Sequence, residues 1–463
     1  MTTVIETCRI PPPQGVAAEL FLPLSFFDIT WLQLNPIRGL VFYNHPCSEA
    51  EFSNTIVPNL KQSLSLTLKH YLPVAGNLLY PLDTDTDTTK PVIRYISGDT
   101  VPLTIAVSSL GLDDLVADHA RESDQFYGLL PLAPPLTEEE NYQIVPLVAL
   151  QVTLFPGGGI CIGLNVNHTL CDARSIVGFL NAWAVINKSG DDEVFVSRNS
   201  ESPPVFVRPV SEDSRRLNGI FWDVMKKIPF KPVQSHPVPT NRVRASFILR
   251  QSDIKILKTR ISSAKPRRVR ISTFAVASAY VWTALAKCGG GRDEEEVFYY
   301  PEDGRGRRNA LFDPPVPANY FGNCLGAGVV RLERRKLAAE DGFVSAAEAI
   351  DDEMNTKIYD GDEFLKNPEN RLPIVLSKFK DMRMLLASGS PKFEFTVADF
   401  GWGVARKVEF LSTDDRTYAM SLGNSGDGLV VGMSMPKEMM EAFASIFEDG
   451  LRVGGKVYGK SRM

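Results

Sequence analysis

The chain has 463 residues, 44% of them hydrophobic and 23% charged, and a formal net charge of -5. That length is too long for one ordinary core and suits two, the composition is that of a water-soluble globular protein, and the charge supplies no basic field for nucleic acid. No basic-then-apolar leader and no apolar run of membrane-spanning length occur, so a cytoplasmic protein without membrane contact is expected.

The six cysteines (Cys8, Cys47, Cys161, Cys171, Cys288 and Cys324) are scattered without a CxxC pair, which predicts reduced thiols and neither a disulfide framework nor a zinc site. The terminal SRM is read as a chance tail in preference to a peroxisomal address.

Along the chain, Leu60, Leu64, Leu68 and Leu72 recur every four residues and predict an amphipathic helix stopped by Pro73. The acidic run from Asp83 imitates a calcium loop, but Thr88 stands where that loop needs glycine and Arg94 where it needs glutamate. VALQVTLF and GICIGLNVN alternate as strands and, joined by Pro156-Gly157-Gly158-Gly159, read as a β-hairpin. In the second strand Ile160, Ile162, Leu164 and Val166 share one face, and His168 continues that parity toward buried space. Beyond Asp172 the period becomes helical (Ile176, Val177, Phe179, Leu180, Trp183), which puts Asp172 at a helix N-cap.

The polar, proline-bearing stretch 187–213 reads as a crossover. It divides the chain into residues 1–195, a linker 196–215, and residues 216–463. After it come ASFILRQSDIKILKTRI (strand, then helix), the buried helix STFAVASAYVWTALAK and a closing amphipathic helix at MPKEMMEAFASIFEDGLR. The class is mixed α/β in two domains.

No GxSxG elbow, phosphate loop or metal-spaced histidine pair occurs. Of five histidines, His168 alone has an aspartate four residues on. By spacing, that is either a satisfied core histidine beside a capping aspartate or a catalytic base. Two glycine-bearing stretches join it: YFGNC (Tyr320 to Cys324) and DFGWG (Asp399 to Gly403).

HTLCD, YFGNC and DFGWG, in this order across essentially the whole chain, resemble the plant BAHD acyl-CoA-dependent acyltransferases. The text around them is most similar to the branch that malonylates anthocyanin and other flavonoid glycosides. The resemblance implies two domains, each a mixed sheet with helices, and a channel between them that CoA and the acceptor enter from opposite faces. It implies a monomer that binds small molecules only and keeps no permanent cofactor or metal, with acyl-CoA, most simply malonyl-CoA, as co-substrate.

His168 would be the general base. Trp402 would either donate its indole N–H to the oxyanion or only pack its loop. Asp172 would pair with Arg305 of the Asp303-Gly304-Arg305 element and, like Asp399, shape a loop without doing chemistry. Cys171 offers an acyl-enzyme route, but direct transfer in a ternary complex is preferred. For CoA the resemblance points to Ser272 and Thr273, with Lys258, Lys265, Arg267 and Arg268 nearby. Arg38 and Arg174 are candidates to meet a malonyl carboxylate, since an unpaired charge in a desolvated channel is costly. Relatives often carry a second histidine where this chain has Asn167. The alternatives are a hydroxycinnamoyl donor, a thioester hydrolase and a non-catalytic binding protein.

Overall fold

The computed structural model describes residues 1–84, 90–198, 203–230, 240–266, 270–289, 295–307, 312–359, 383–389, 397–415 and 418–456. Arg267, Arg268 and the terminal SRM lie outside them.

The first large sheet has six strands in the order Thr2–Ile10, Val101–Ser108, Val148–Phe155, Gly159–Val166, Ile37–Tyr43 and Lys407–Phe410. The expected hairpin pairs from Val148 with Val166 to Phe155 with Gly159. Ile160, Ile162, Leu164 and Val166 point into the larger core, together with Leu60, Leu64 and Leu68 of the helix Val57–His70. That helix ends at His70, short of Leu72. Pro73 instead sits in the first turn of a new helix, Leu72–Ala75, where its missing N–H costs nothing. The strand's other face is covered too. Cys161 packs with Leu40, Phe42, Phe126 and Leu129 in a smaller core. Gly163 lets the Leu129 carbonyl lie on the strand, since a Cβ there would come within 2.2 Å of that oxygen.

The second large sheet has seven strands: Leu325–Glu333, Glu295–Asp303, Arg383–Ser388, Tyr418–Ser425, Gly428–Met435, Val243–Arg250 and Arg121–Glu122. Helix Thr273–Lys287 packs on it, buried from Ala275 to Ala286, as a helix apolar all round must be. A five-stranded sheet, built from residues 19–23, 77–81, 92–96, 137–139 and 142–146, completes the first half. The two large cores give the fold its two domains.

Each large sheet ends in a strand lent by the other half of the chain. Lys407–Phe410 pairs with Ile37–Tyr43, and Arg121–Glu122 pairs with Val243–Arg250. Between the borrowed strands the carboxylate of Glu409 accepts from Arg121 at 2.9 Å and from Arg244 at 3.2 Å, all three side chains being buried. Arg244 also reaches Asp414 at 2.6 Å.

The crossover is more structured than its composition suggests. Helix Ala173–Ser189 runs into it, helix Glu193–Arg198 follows, and Val205 bridges to Tyr320. Helix Glu212–Met225 then buries Leu217, Phe221, Trp222 and Met225 in the first core. Among the described residues no helix is long and apolar enough to cross a membrane, and no group of three His, Cys, Asp or Glu residues is placed to hold a metal ion. All six cysteines are free thiols.

Candidate active site

The strand Gly159–Val166 delivers His168 to its C-terminal end, where the chain must turn into a helix. Asn167 makes that turn. Its Oδ1 accepts from Thr169 N at 3.0 Å, and its carbonyl accepts from Leu170 N at 3.0 Å. This Asx-type bond is a local task suited to asparagine, which accounts for the residue at that position. The helix starts at Ala173 with Asp172 as N-cap, Oδ1 accepting from Ser175 N at 3.1 Å.

Asp172 turns away from the imidazole. Its oxygens take Arg305 Nη2 at 3.0 and 2.9 Å and Cys324 N at 3.1 Å. Arg305 also donates to the carbonyls of Tyr320 (2.9 Å) and Gly322 (2.8 Å) and pairs with Asp303 at 2.8 Å. One buried cation thus ties the histidine loop to the YFGNC segment. Gly322 is needed there, because a Cβ would come within 2.5 Å of both Arg208 Nη1 and Tyr320 Oη.

A second buried pair underlies the first. Asp28 is fully buried, and its Oδ2 lies 3.1 Å from Arg208 Nε, while its Oδ1 accepts from Asn323 Nδ2 at 3.0 Å. Asn323 Nδ2 also donates to the carbonyl of His168 at 2.9 Å. Arg208 donates to Phe321 O at 3.0 Å. The histidine is therefore held through its backbone. Nδ1 is buried without a hydrogen-bond partner, which leaves Nε2 to meet a substrate. Burial pushes His168 down to about 4, against weaker upward pulls from its own backbone, from Asp172 and from Asn323, so the ring is neutral at physiological pH and able to accept a proton. The indole of Trp31 stacks on it, ring centroids 3.6 Å apart and planes 1° from parallel.

A model of the Transferase family matches residues 1–450. The chain belongs to this family, the BAHD acyltransferases. It is 50% identical over 453 residues, 96% of this chain and 95% of the relative, to malonyl-coenzyme:anthocyanin 5-O-glucoside-6'''-O-malonyltransferase of Salvia splendens. It is 30% identical over 97% of both chains to coumaroyl-CoA:anthocyanidin 3-O-glucoside-6''-O-coumaroyltransferase 1 of Arabidopsis thaliana. Crystalline vinorine synthase has the same fold, with a TM-score of 0.67, 21% identity and 96% of each chain covered.

In this BAHD chain Trp402 is not beside the base. It packs on Tyr43, His45 and Phe400, with centroids 5.3, 5.6 and 5.2 Å away. Tyr43 pairs with Ile160, at the far end of the strand from Val166. Six residue steps along a strand are about 20 Å, so the indole cannot serve an oxyanion at His168 and packs its loop. Asp399 shapes that loop, taking Gly401 N at 2.9 Å and Gly403 N at 2.8 Å and pairing with Lys188 at 2.5 Å.

Arg38 must also be set aside as a carboxylate receptor. It lies opposite Asn165, its side chain 1% exposed, ion-paired with Asp415 and 5.9 Å from the centroid of the Tyr127 ring. Its charge is already used. Arg174 is 37% exposed and anchored through Nη1 on Asp303 at 2.5 Å, at the edge of a cavity of about 290 Å³ shared with Tyr71, Asn181 and Phe321. Burial pushes the Cys171 thiol well above its ordinary range, so it is protonated core packing and no nucleophile.

Ser272, Thr273 and Lys258 come together on the second domain. Ser272 caps helix Thr273–Lys287 by accepting from Ala275 N at 3.1 Å, and Lys258 Nζ donates to Thr273 Oγ1 at 2.9 Å. Thr273 and Lys258, with Lys255, Ser262 and Arg270, line a cavity of about 430 Å³. Lys265 is paired with Glu348 at 3.2 Å.

Sequence reading missed Trp31, Asp28, Arg208 and Asn323. The available signals were an acid inside the apolar run SFFDITW and an arginine between valine and proline in VFVRPV.

Proposed function

We propose that the chain transfers a malonyl group from malonyl-CoA to a sugar hydroxyl of an anthocyanin or related flavonoid glycoside, directly and in a ternary complex. The observation that carries the chemistry is the neutral, buried-Nδ1 imidazole of His168 at the strand end. The donor rests on the 50% identical malonyltransferase against the 30% identical coumaroyltransferase.

The thioester is already activated, so no resident cofactor is required. Nε2 takes the hydroxyl proton as the oxygen attacks the thioester carbonyl, and the tetrahedral adduct expels the CoA thiolate. The imidazolium returns its proton to that sulfur, leaving ester, CoA-SH and the starting base. Such a base contributes about 10²–10⁴-fold. Arg174 is the cation proposed for the malonyl carboxylate, and the Ser272–Thr273–Lys258 corner of the second domain is proposed to hold CoA. A monomer working in the cytoplasm fits this reading.

The test is CoA-thiol release from malonyl-CoA and from p-coumaroyl-CoA, with and without an anthocyanidin glucoside, for the parent, His168→Ala and Arg174→Ala. Malonyl-dependent release that needs the glucoside, is lost in His168→Ala and acquires a raised KM for malonyl-CoA alone in Arg174→Ala is the expected result. Release from the aromatic donor only refutes the donor assignment. Release without acceptor indicates a hydrolase, and none from either donor indicates a binding protein.

A further inference from the structure

We propose that Trp31 is a positioning residue for the general base: its indole covers one face of the His168 imidazole, holding the ring plane and keeping water from it while the Nε2 edge stays open. The proposal rests on His168 being the base, as set out above.

Four observations carry it. The rings overlap face to face, 3.6 Å apart and within 1° of parallel. Trp31 is half-buried and is not among the side chains packed into any of the three apolar cores, so filling space does not explain so large a ring at this place. The backbone that presents it is pinned: Trp31 N donates to Asp28 O at 3.0 Å, at the end of the short helix Phe26–Ile29. The Asp28 carboxylate that accepts from Ser25 N at 3.0 Å and Ser25 Oγ at 2.7 Å also accepts from Asn323, which donates to the His168 carbonyl. One buried carboxylate therefore registers the segment carrying the indole against the segment carrying the imidazole.

The charges around the ring are arranged in pairs: Asp172 with Arg305 on the helix side, and Asp28 with Arg208 beneath. The neighbouring thiols Cys171 and Cys324 and the phenol Tyr320 are held protonated by burial. No unbalanced charge offsets burial, which dominates the basicity of His168. Uncovering the ring therefore admits water, stabilises the imidazolium and raises the midpoint toward the ordinary value.

The experiment is a side-chain ¹⁵N NMR titration of the full chain, with His168→Ala identifying the resonance among the five histidines, alongside kcat and KM. Trp31→Ala should raise the His168 midpoint by about one pH unit and lower kcat about tenfold or more, with both KM values within about threefold. Trp31→Phe, which restores a flat cover, should recover the midpoint and most of kcat. An unmoved midpoint in Trp31→Ala overturns the proposal. So does a Trp31→Phe variant that titrates like Trp31→Ala, or a loss carried only in acceptor KM, which would make Trp31 a substrate contact. The titration needs no turnover, so a parent inactive on every acyl-CoA would refute the functional reading and leave this test standing.

Discussion

Asp172→Asn separates a loop-shaping carboxylate from a catalytic one. Asparagine keeps the helix N-cap, since Asn and Asp cap about equally well. It removes the charge that faces Arg305, whose side chain is 0% exposed. Breaking a buried pair by deleting one partner costs about 3–5 kcal/mol. Arg305 still holds Asp303 at 2.8 Å, so the lower end applies, about 3 kcal/mol. For a domain of this size that is a fall in Tm of about 6–12 °C. Asp172 makes no hydrogen bond to the imidazole, so the pH profile of kcat/KM should keep its acid limb, and kcat measured well below the new Tm should drop no more than about tenfold. The assays are thermal unfolding by circular dichroism and a pH series of CoA release. A parental Tm with a loss in kcat of about 10⁴ and a displaced acid limb would refute the reasoning and make Asp172 the orienting member of a triad.

His168→Gln should be more acid-tolerant than the parent. The folded His168 midpoint of about 4 lies below the unfolded value near 6.5, so the unfolded chain binds the extra proton first; the parent should lose stability relative to the variant as pH falls from 6.5 to 4 and no further below, as read by urea unfolding at several pH values. Cys171→Ala should keep kcat within about threefold and show no acyl-enzyme burst; a trapped thioester on that residue would overturn direct transfer. Trp402→Phe should leave kcat within about twofold, and a hundredfold loss would restore the indole as an oxyanion donor. Glu409→Ala leaves Arg121 and Arg244 without their shared carboxylate and should cost about 3–5 kcal/mol in denaturant unfolding, with the KM values of the surviving enzyme unchanged.

The parts of this site legible in the sequence were the local ones. Alternation placed His168 at a strand end, and the change of period placed Asp172 at a cap, because both signals span fewer than ten residues. Arg305 came only through family resemblance, since spacing holds no record of a contact 133 residues away. Asp28 and Arg208 pair over a still longer separation, and nothing in their neighbourhoods distinguishes a buried ion pair from a surface one. The role of Trp402 stayed open between two readings for a related reason. A glycine-rich loop carries no register, so it could not be assigned to one end of the strand or the other. The lent strand Lys407–Phe410 is four residues long, too short for its alternation to stand out.

The exchanged edge strands limit how the molecule can move. Swinging the domains apart would unzip Lys407–Phe410 from Ile37–Tyr43 and Arg121–Glu122 from Val243–Arg250, and would strip Glu409 from two arginines on the way. Hinge opening therefore carries the cost of both strand pairings and of the Glu409 ion pairs. A gene cut at the crossover would likewise yield two fragments that each lack one sheet edge, able to complete themselves only on one another.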